Sequence, residues 1–277
     1  MRKRRHLYHD SDNMTWPDWN LSRTPDREII YRNGEPYSAQ YDFYTSKAKF
    51  ICGAGGFGGG KTHALARRAL AMMIETPWFG DLSGNIGCIG RKTLKSFEET
   101  TLPEFWKIIP GGKRSPWIRK YYKKDGMIEF VNESTLQFTH FDEAEHLQSY
   151  NFGFVAIDQM EQLYWEVFKV LGYDRIRNKV LTRFNSSGIQ IIPEFDPETG
   201  KCVSADPEKL AAWLQYQCVF GVCNPRRGWI YDKFVKNEYY RKLNTPETKR
   251  RYNPKYHLVT LSTFDNMANL PPDYIEN

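Results

Sequence analysis

At 277 residues the chain is long enough for one large domain with appendages and for a substantial buried core. Its 40% hydrophobic and 26% charged residues are ordinary for a globular protein, and no run of about 18 apolar residues is available to span a bilayer. The net charge of +6, from 39 basic and 33 acidic side chains, permits an acidic partner such as DNA without demanding one.

Residues 1–37 are polar and aromatic with little periodicity, marked by Trp16-Pro17-Asp18-Trp19, Thr24-Pro25 and Asn33-Gly34, and read as an irregular lead-in arm. The leading Met1-Arg2-Lys3-Arg4-Arg5 has charge but no apolar stretch behind it, so it is not a secretory signal. Residues 38–264 alternate short apolar runs with helical segments. This is the pattern of an α/β domain with a mainly parallel central sheet and helices on both faces. The runs are 50–52, 86–89, 154–157, 219–222 and 258–261, and several lack the polar alternation of a half-exposed strand. From Lys61 to Ile74, Leu65, Ala69 and Met73 recur four apart, which predicts a helix that Thr76-Pro77 ends. Residues 127–131 and 135–139 flank Asn132-Glu133-Ser134 and predict an added β-hairpin. The turn signals Ser186-Ser187-Gly188, Asp196-Pro197 and Asp206-Pro207 mark 185–209 as an inserted loop or hairpin. Five cysteines, Cys52, Cys88, Cys202, Cys218 and Cys223, show no CxxC spacing, so buried reduced thiols are expected rather than a zinc site or disulfides.

The chemistry is concentrated between Gly55 and Thr62. Gly55-Gly56-Phe57-Gly58-Gly59-Gly60-Lys61-Thr62 satisfies the Walker A pattern G-x-x-x-x-G-K-[ST], with an apolar strand entering and an amphipathic helix leaving. Glycines let backbone N–H groups turn inward as an anion nest, and the following helix points its positive end at the same phosphates. Lys61 is placed to reach the β- and γ-phosphates of ATP, and the Thr62 hydroxyl to ligate Mg2+. Such a site needs a second carboxylate at a strand end. Asp158, after the run 154–157, supplies it as a metal-binding candidate. The position after Asp158, where many P-loop ATPases place glutamate, is Gln159, which orients a water but cannot accept its proton. Glu161, one helical turn beyond Asp158, is therefore the expected base, with Gln159 assisting.

The order of these motifs resembles the ATPase half of the large terminase subunit of tailed bacteriophages, over most of the chain from Gln40 onward. Gln40-Tyr41-Asp42-Phe43 is similar to the family's adenine-side Gln motif, and Ile89-Gly90-Arg91-Lys92-Thr93 to the segment after its second strand. Phe130 to Phe138 is similar to the family's hairpin, and Ile157 to Glu161 to its aspartate strand. Cys223-Asn224-Pro225, followed by Trp229, Tyr231 and Phe234, resembles the coupling motif, in which an amide at a strand end senses the γ-phosphate. The resemblance implies a P-loop NTPase fold of the ASCE or RecA-like kind, and an ATP- and Mg2+-dependent motor that drives double-stranded DNA into a procapsid. It also implies a homo-oligomeric ring, a portal and small terminase subunit as partners, no membrane, and the cytoplasm of an infected bacterium.

Two departures from the family qualify that expectation. The arginine that terminases often carry inside the P-loop is replaced by Phe57 or its neighbours, so another cation must meet the transition-state charge. Arg175 and Arg177 are candidates for a finger reaching a neighbouring subunit, and Arg91 is a weaker one. Residues 265–277 read as the start of a linker towards the family's nuclease, and no DNA cutting is expected from this chain.

For DNA, Lys113, Arg114, Arg119, Lys120, Lys123 and Lys124 put six basic side chains, with three aromatics, into twelve positions, either a solvated basic loop or a sequence-independent phosphate grip. The alternatives are a helicase- or recombinase-like DNA-dependent ATPase, whose further motifs are missing, and a nucleotide-gated assembly scaffold with weak hydrolysis. A small-molecule kinase fits less well, because no acceptor pocket is visible.

Overall fold

The computed structural model describes residues 29–74, 84–142, 151–176, 183–184, 190–191, 217–239, 251–252 and 255–270. Eight strands form its central sheet: β1 (Phe50–Gly55), β2 (Ile86–Arg91), β3 (Ile118–Tyr122), β4 (Met127–Phe130), β5 (Thr135–His140), β6 (Phe154–Asp158), β7 (Cys218–Cys223) and β8 (Tyr256–Leu261). Their spatial order is β8-β1-β7-β6-β2-β5-β4-β3. The first six in that order are mutually parallel. Next, β4 is antiparallel to β5 and β3 is antiparallel to β4, so β3 again points with the first six.

The absence of polar alternation has a direct cause in β6. Phe154 and Ala156 enter one apolar cluster, while Val155 and Ile157 enter a second on the opposite face. Both faces are therefore covered. One is packed by α1 (Ala39–Thr45), α2 (Lys61–Ala71) and α3 (Leu102–Ile108), the other by α4 (Trp165–Lys169) with the π-wound turns Val170–Asp174 and Tyr231–Lys236. No helix of the described residues is long and apolar enough to cross a membrane.

Arg68 holds the first layer together. It is fully buried on α2 and donates to the carbonyls of Phe43 (2.8 Å), Tyr44 (2.5 Å) and Ser46 (2.7 Å), the C-terminal end of α1. The negative end of that helix and the Phe220 ring, 4.9 Å away, compensate the buried guanidinium.

Several expectations need adjustment. The last part of the lead-in arm is ordered: Tyr31–Arg32 pairs with Glu35–Pro36 around Asn33 (φ 52°) and Gly34 (φ 85°), both left-handed as a tight hairpin turn requires. The P-loop helix ends at Ala71, three residues short of the expected Ile74. The hairpin is present as β4 and β5, but β5 is no appendage, because its other edge is the parallel neighbour of β2. The basic run is not a loop either. It forms the turn Gly112–Arg114 and the edge strand β3. Residues 1–28, 271–277 and most of the 185–209 insertion lie outside the described residues.

Candidate active site

The glycine-rich loop leaves β1 at Gly55 and delivers the chain to α2 at Lys61. Two glycines are required sterically. A Cβ at Gly55 would run into the Leu261 carbonyl of β8, and one at Gly60 (φ 69°) would run into the amide nitrogen of Gln40. The chain after β8 fixes the loop from outside, with Thr263 Oγ1 donating to the Phe57 carbonyl (2.7 Å) and Asn266 Nδ2 to the Gly58 carbonyl (2.7 Å). Phe57 itself is 79% exposed, so its side chain contributes no wall to the phosphate cradle. Lys61 donates to the Gly56 carbonyl. Burial lowers its pKa, opposed by Glu161, Cys223 and Asp158, so these acids and the ammonium share one electrostatic neighbourhood. Gln40 is buried beside Gly60 and its Nε2 has no partner among the described residues, leaving a donor for a ligand seated on the loop.

Asp158 ends β6 two strands away from the P-loop strand, with β7 between them. Its Oδ1 accepts from Thr62 Oγ1 (3.4 Å) and from the Gln159 amide (3.1 Å). Its Oδ2 accepts from Thr101 Oγ1 at 2.5 Å. The hard oxygens of Thr62 and Asp158 converge beside Lys61, a donor set that fits Mg2+ carried in by a nucleotide triphosphate. Thr101 is the residue that sequence reasoning missed. It has no exposed surface and ends the π-wound turn Phe97–Thr101, a winding that often accompanies function.

Asn224, just past β7, donates from Nδ2 to Glu161 Oε1 at 2.9 Å. The other oxygen, Glu161 Oε2, is buried without a partner among the described residues, an acceptor suited to holding a water. The structure therefore brings together Glu161, expected as the base, and Asn224, expected as the sensor; what it shows is their contact. Gln159 is differently engaged. It sits in left-handed backbone (φ 52°, ψ 53°), and its side-chain oxygen accepts from Gln162 Nε2.

The arginines divide. Arg91, 8% exposed, donates to Thr100 Oγ1 (2.5 Å) and the Ser96 carbonyl (3.4 Å) of its own chain, so it is held inside the domain and is not a finger for a neighbour. Arg175 follows the helical segment at the opposite end of β6, where its carbonyl accepts from the Phe152 amide (2.9 Å), roughly 20 Å from Asp158 along the strand. It therefore lies outside the nucleotide site of its own chain. Arg177 lies outside the described residues. The basic run sits at the sheet edge four strands from β6, roughly 19 Å away. There Arg119 pairs with Glu129 (2.7 Å), Lys120 lies over Tyr122 (4.3 Å) and Lys113 over Trp106 (5.6 Å), while Arg114, Lys123 and Lys124 are exposed.

This strand order, with a glycine cradle and an aspartate on either side of a third strand, defines an α/β fold of the P-loop type. No protein-family model matches the sequence, nor does any characterised protein in a sequence comparison. Solved structures do match. The large terminase ATPase domain of Thermus phage P74-26 superposes with a TM-score of 0.50 at 12% identity, over 87% of this chain and 91% of that one. The large terminase of a second thermophilic bacteriophage, in complex with ADP, gives 0.52 at 13% identity, over 85% of this chain and 47% of that longer one. The chain thus has the fold of large terminase ATPase domains, as the motif order led one to expect.

Proposed function

We propose that this chain is the ATP-hydrolysing motor domain of a phage terminase, moving double-stranded DNA as part of a homo-oligomeric ring in the infected bacterium. The observation that carries the reading is the convergence of Lys61, Thr62, Asp158, Glu161 and Asn224 around one glycine loop. The loop and Lys61 bind the triphosphate, Gln40 faces the nucleotide side of the loop, and Thr62 with Asp158 hold Mg2+. When bound, that ion neutralises charge on the β- and γ-phosphates.

Glu161, oriented by Asn224, holds the attacking water at Oε2 and takes its proton. The water oxygen bonds to the γ-phosphorus as the bond to the β–γ bridging oxygen breaks, giving ADP and orthophosphate. Departure of the γ-phosphate changes what surrounds Glu161. Asn224 carries that change into the chain beyond β7, whose Trp229 indole donates to the Leu163 carbonyl (2.8 Å) and packs on Phe168. A cation from a neighbouring subunit, and the basic edge strand as the DNA grip, complete the proposal, with portal and small terminase subunit as partners.

The test is ATP turnover across protein concentration, with and without duplex DNA, for the wild type and Glu161→Gln. The motor reading expects turnover that rises steeply with concentration and falls by about a hundredfold or more in the variant. Nucleotide binding without turnover would support instead the assembly scaffold, which the engagement of Gln159 by Gln162 favours.

A further inference from the structure

A cavity of about 470 Å3 lies beside the catalytic carboxylate and outside the P-loop cradle. It is lined by the segments that follow three adjacent strands: Lys92 after β2, Glu161 and Tyr164 after β6, and Arg226, Arg227 and Trp229 after β7. Glu161 belongs both to this cavity and to the cluster around Lys61. Among the described residues its carboxylate is the only acid lining the cavity, and one oxygen already accepts from Asn224. Against it stand three cations. Lys92 lies over the Tyr164 ring at 5.4 Å, and neither it nor Arg226 nor Arg227 has a carboxylate partner among the described residues. Both arginines are exposed on a short loop that ends in Gly228, whose φ of 145° disfavours other residues.

Cations gathered around a cavity raise the local concentration of anions, and guanidinium groups match phosphate oxygens in a bidentate fashion. A water occupies about 30 Å3 in the liquid, so the space admits orthophosphate with much of its hydration shell.

We propose that this cavity is a second phosphate site, which receives the orthophosphate freed from ATP as it passes the Asn224–Glu161 pair. The inference rests on the ATPase reading for the source of the phosphate, but not for the binding chemistry. Lys92, Arg226 and Arg227 hold the ion in a space that Glu161 lines and Lys61 does not. Its departure, not bond cleavage, is then the step that their removal alters.

The experiment uses inorganic phosphate as the probe, titrated into the ADP-saturated protein and followed by calorimetry. Wild type is compared with Arg226→Gln/Arg227→Gln and with Lys92→Gln, all at exposed or half-exposed positions where folding is checked by thermal denaturation. Each lost charge-assisted contact weakens phosphate binding by about tenfold, so the double variant should bind about a hundredfold more weakly. Single-turnover hydrolysis should stay within about twofold of wild type, while product inhibition by phosphate disappears.

Unchanged phosphate affinity in the double variant overturns the proposal. So does a single-turnover rate that falls with the arginines, which would make them transition-state cations. Duplex DNA that competes for the cavity, with phosphate affinity unaffected by the substitutions, assigns the cations to the DNA backbone and also overturns it. Wild type that binds phosphate here yet never hydrolyses ATP sinks the ATPase reading and leaves the phosphate site standing.

Discussion

Replacing Thr101 by valine removes one hydroxyl with almost no change in shape, and it isolates what that hydroxyl does for Asp158. In the native chain, Oδ2 of this buried carboxylate receives a single donor among the described residues, Thr101 Oγ1 at 2.5 Å. A hydrogen bond to a charged group contributes about 1.5–3 kcal/mol, and valine leaves the oxygen without it. At about 2–4 °C per kcal/mol for a large domain, that corresponds to a melting temperature lower by roughly 3–12 °C. Mg2+ affinity should fall as well, because partners that orient a ligating carboxylate are typically worth about 10–100-fold in metal binding. The assay is binding of a fluorescent ATP analogue, titrated with Mg2+ and repeated in chelator. Thr101→Val should shift the Mg2+ midpoint upwards while leaving metal-free nucleotide binding unchanged, and Thr101→Ser should restore it. A valine variant that melts lower but titrates with Mg2+ like the wild type would refute the reasoning and leave Thr101 a packing residue.

Two further predictions concern the layer beneath the loop. Arg68→Met leaves the carbonyls of Phe43, Tyr44 and Ser46 without their buried donor, and should destabilise the fold by about 1–3 kcal/mol for each carbonyl left unsatisfied, read by chemical denaturation; stability equal to wild type would refute the capping role. Glu104 on α3 accepts from His63 on α2 (3.0 Å), and that hydrogen bond, aided by Lys107 and opposed by burial, depresses its pKa from 4.5 to about 2. A depressed carboxylate stabilises the fold above its unfolded pKa and loses that contribution as pH falls from about 4.5 towards 2. The melting temperature of Glu104→Gln should therefore lie below wild type near neutrality and converge with it across that window; a constant difference would count against the linkage.

The sheet was legible because a strand buried on both faces has to be apolar throughout, and the runs around Phe154 and Val219 could belong to little else. The loop from Gly55 to Thr62 was legible because its residue types are dictated by phosphate chemistry at fixed spacing. The pairing of Glu161 with Asn224 joins segments 63 residues apart, so the sequence could offer the two groups but not their contact. Thr101 carried no signal at all, since a threonine inside a helical segment resembles any other until a π-wound turn directs it at Asp158. Arg91 misled for the opposite reason. An arginine after a strand end looks available, and only the fold reveals that Thr100 already holds it.

The outermost strand has a consequence for the protein's life in solution. An open sheet border is a template for another chain's backbone, and among the described residues β3 occupies such a border, with Arg119 and Lys120 both exposed along it and Lys123 and Lys124 just beyond. Mutual repulsion between such cationic borders keeps copies from zipping together into aggregates, whether or not nucleic acid ever touches them. Neutralising these lysines to test the proposed DNA grip would therefore also remove a safeguard against precipitation, and the two effects are separated by measuring solubility alongside binding.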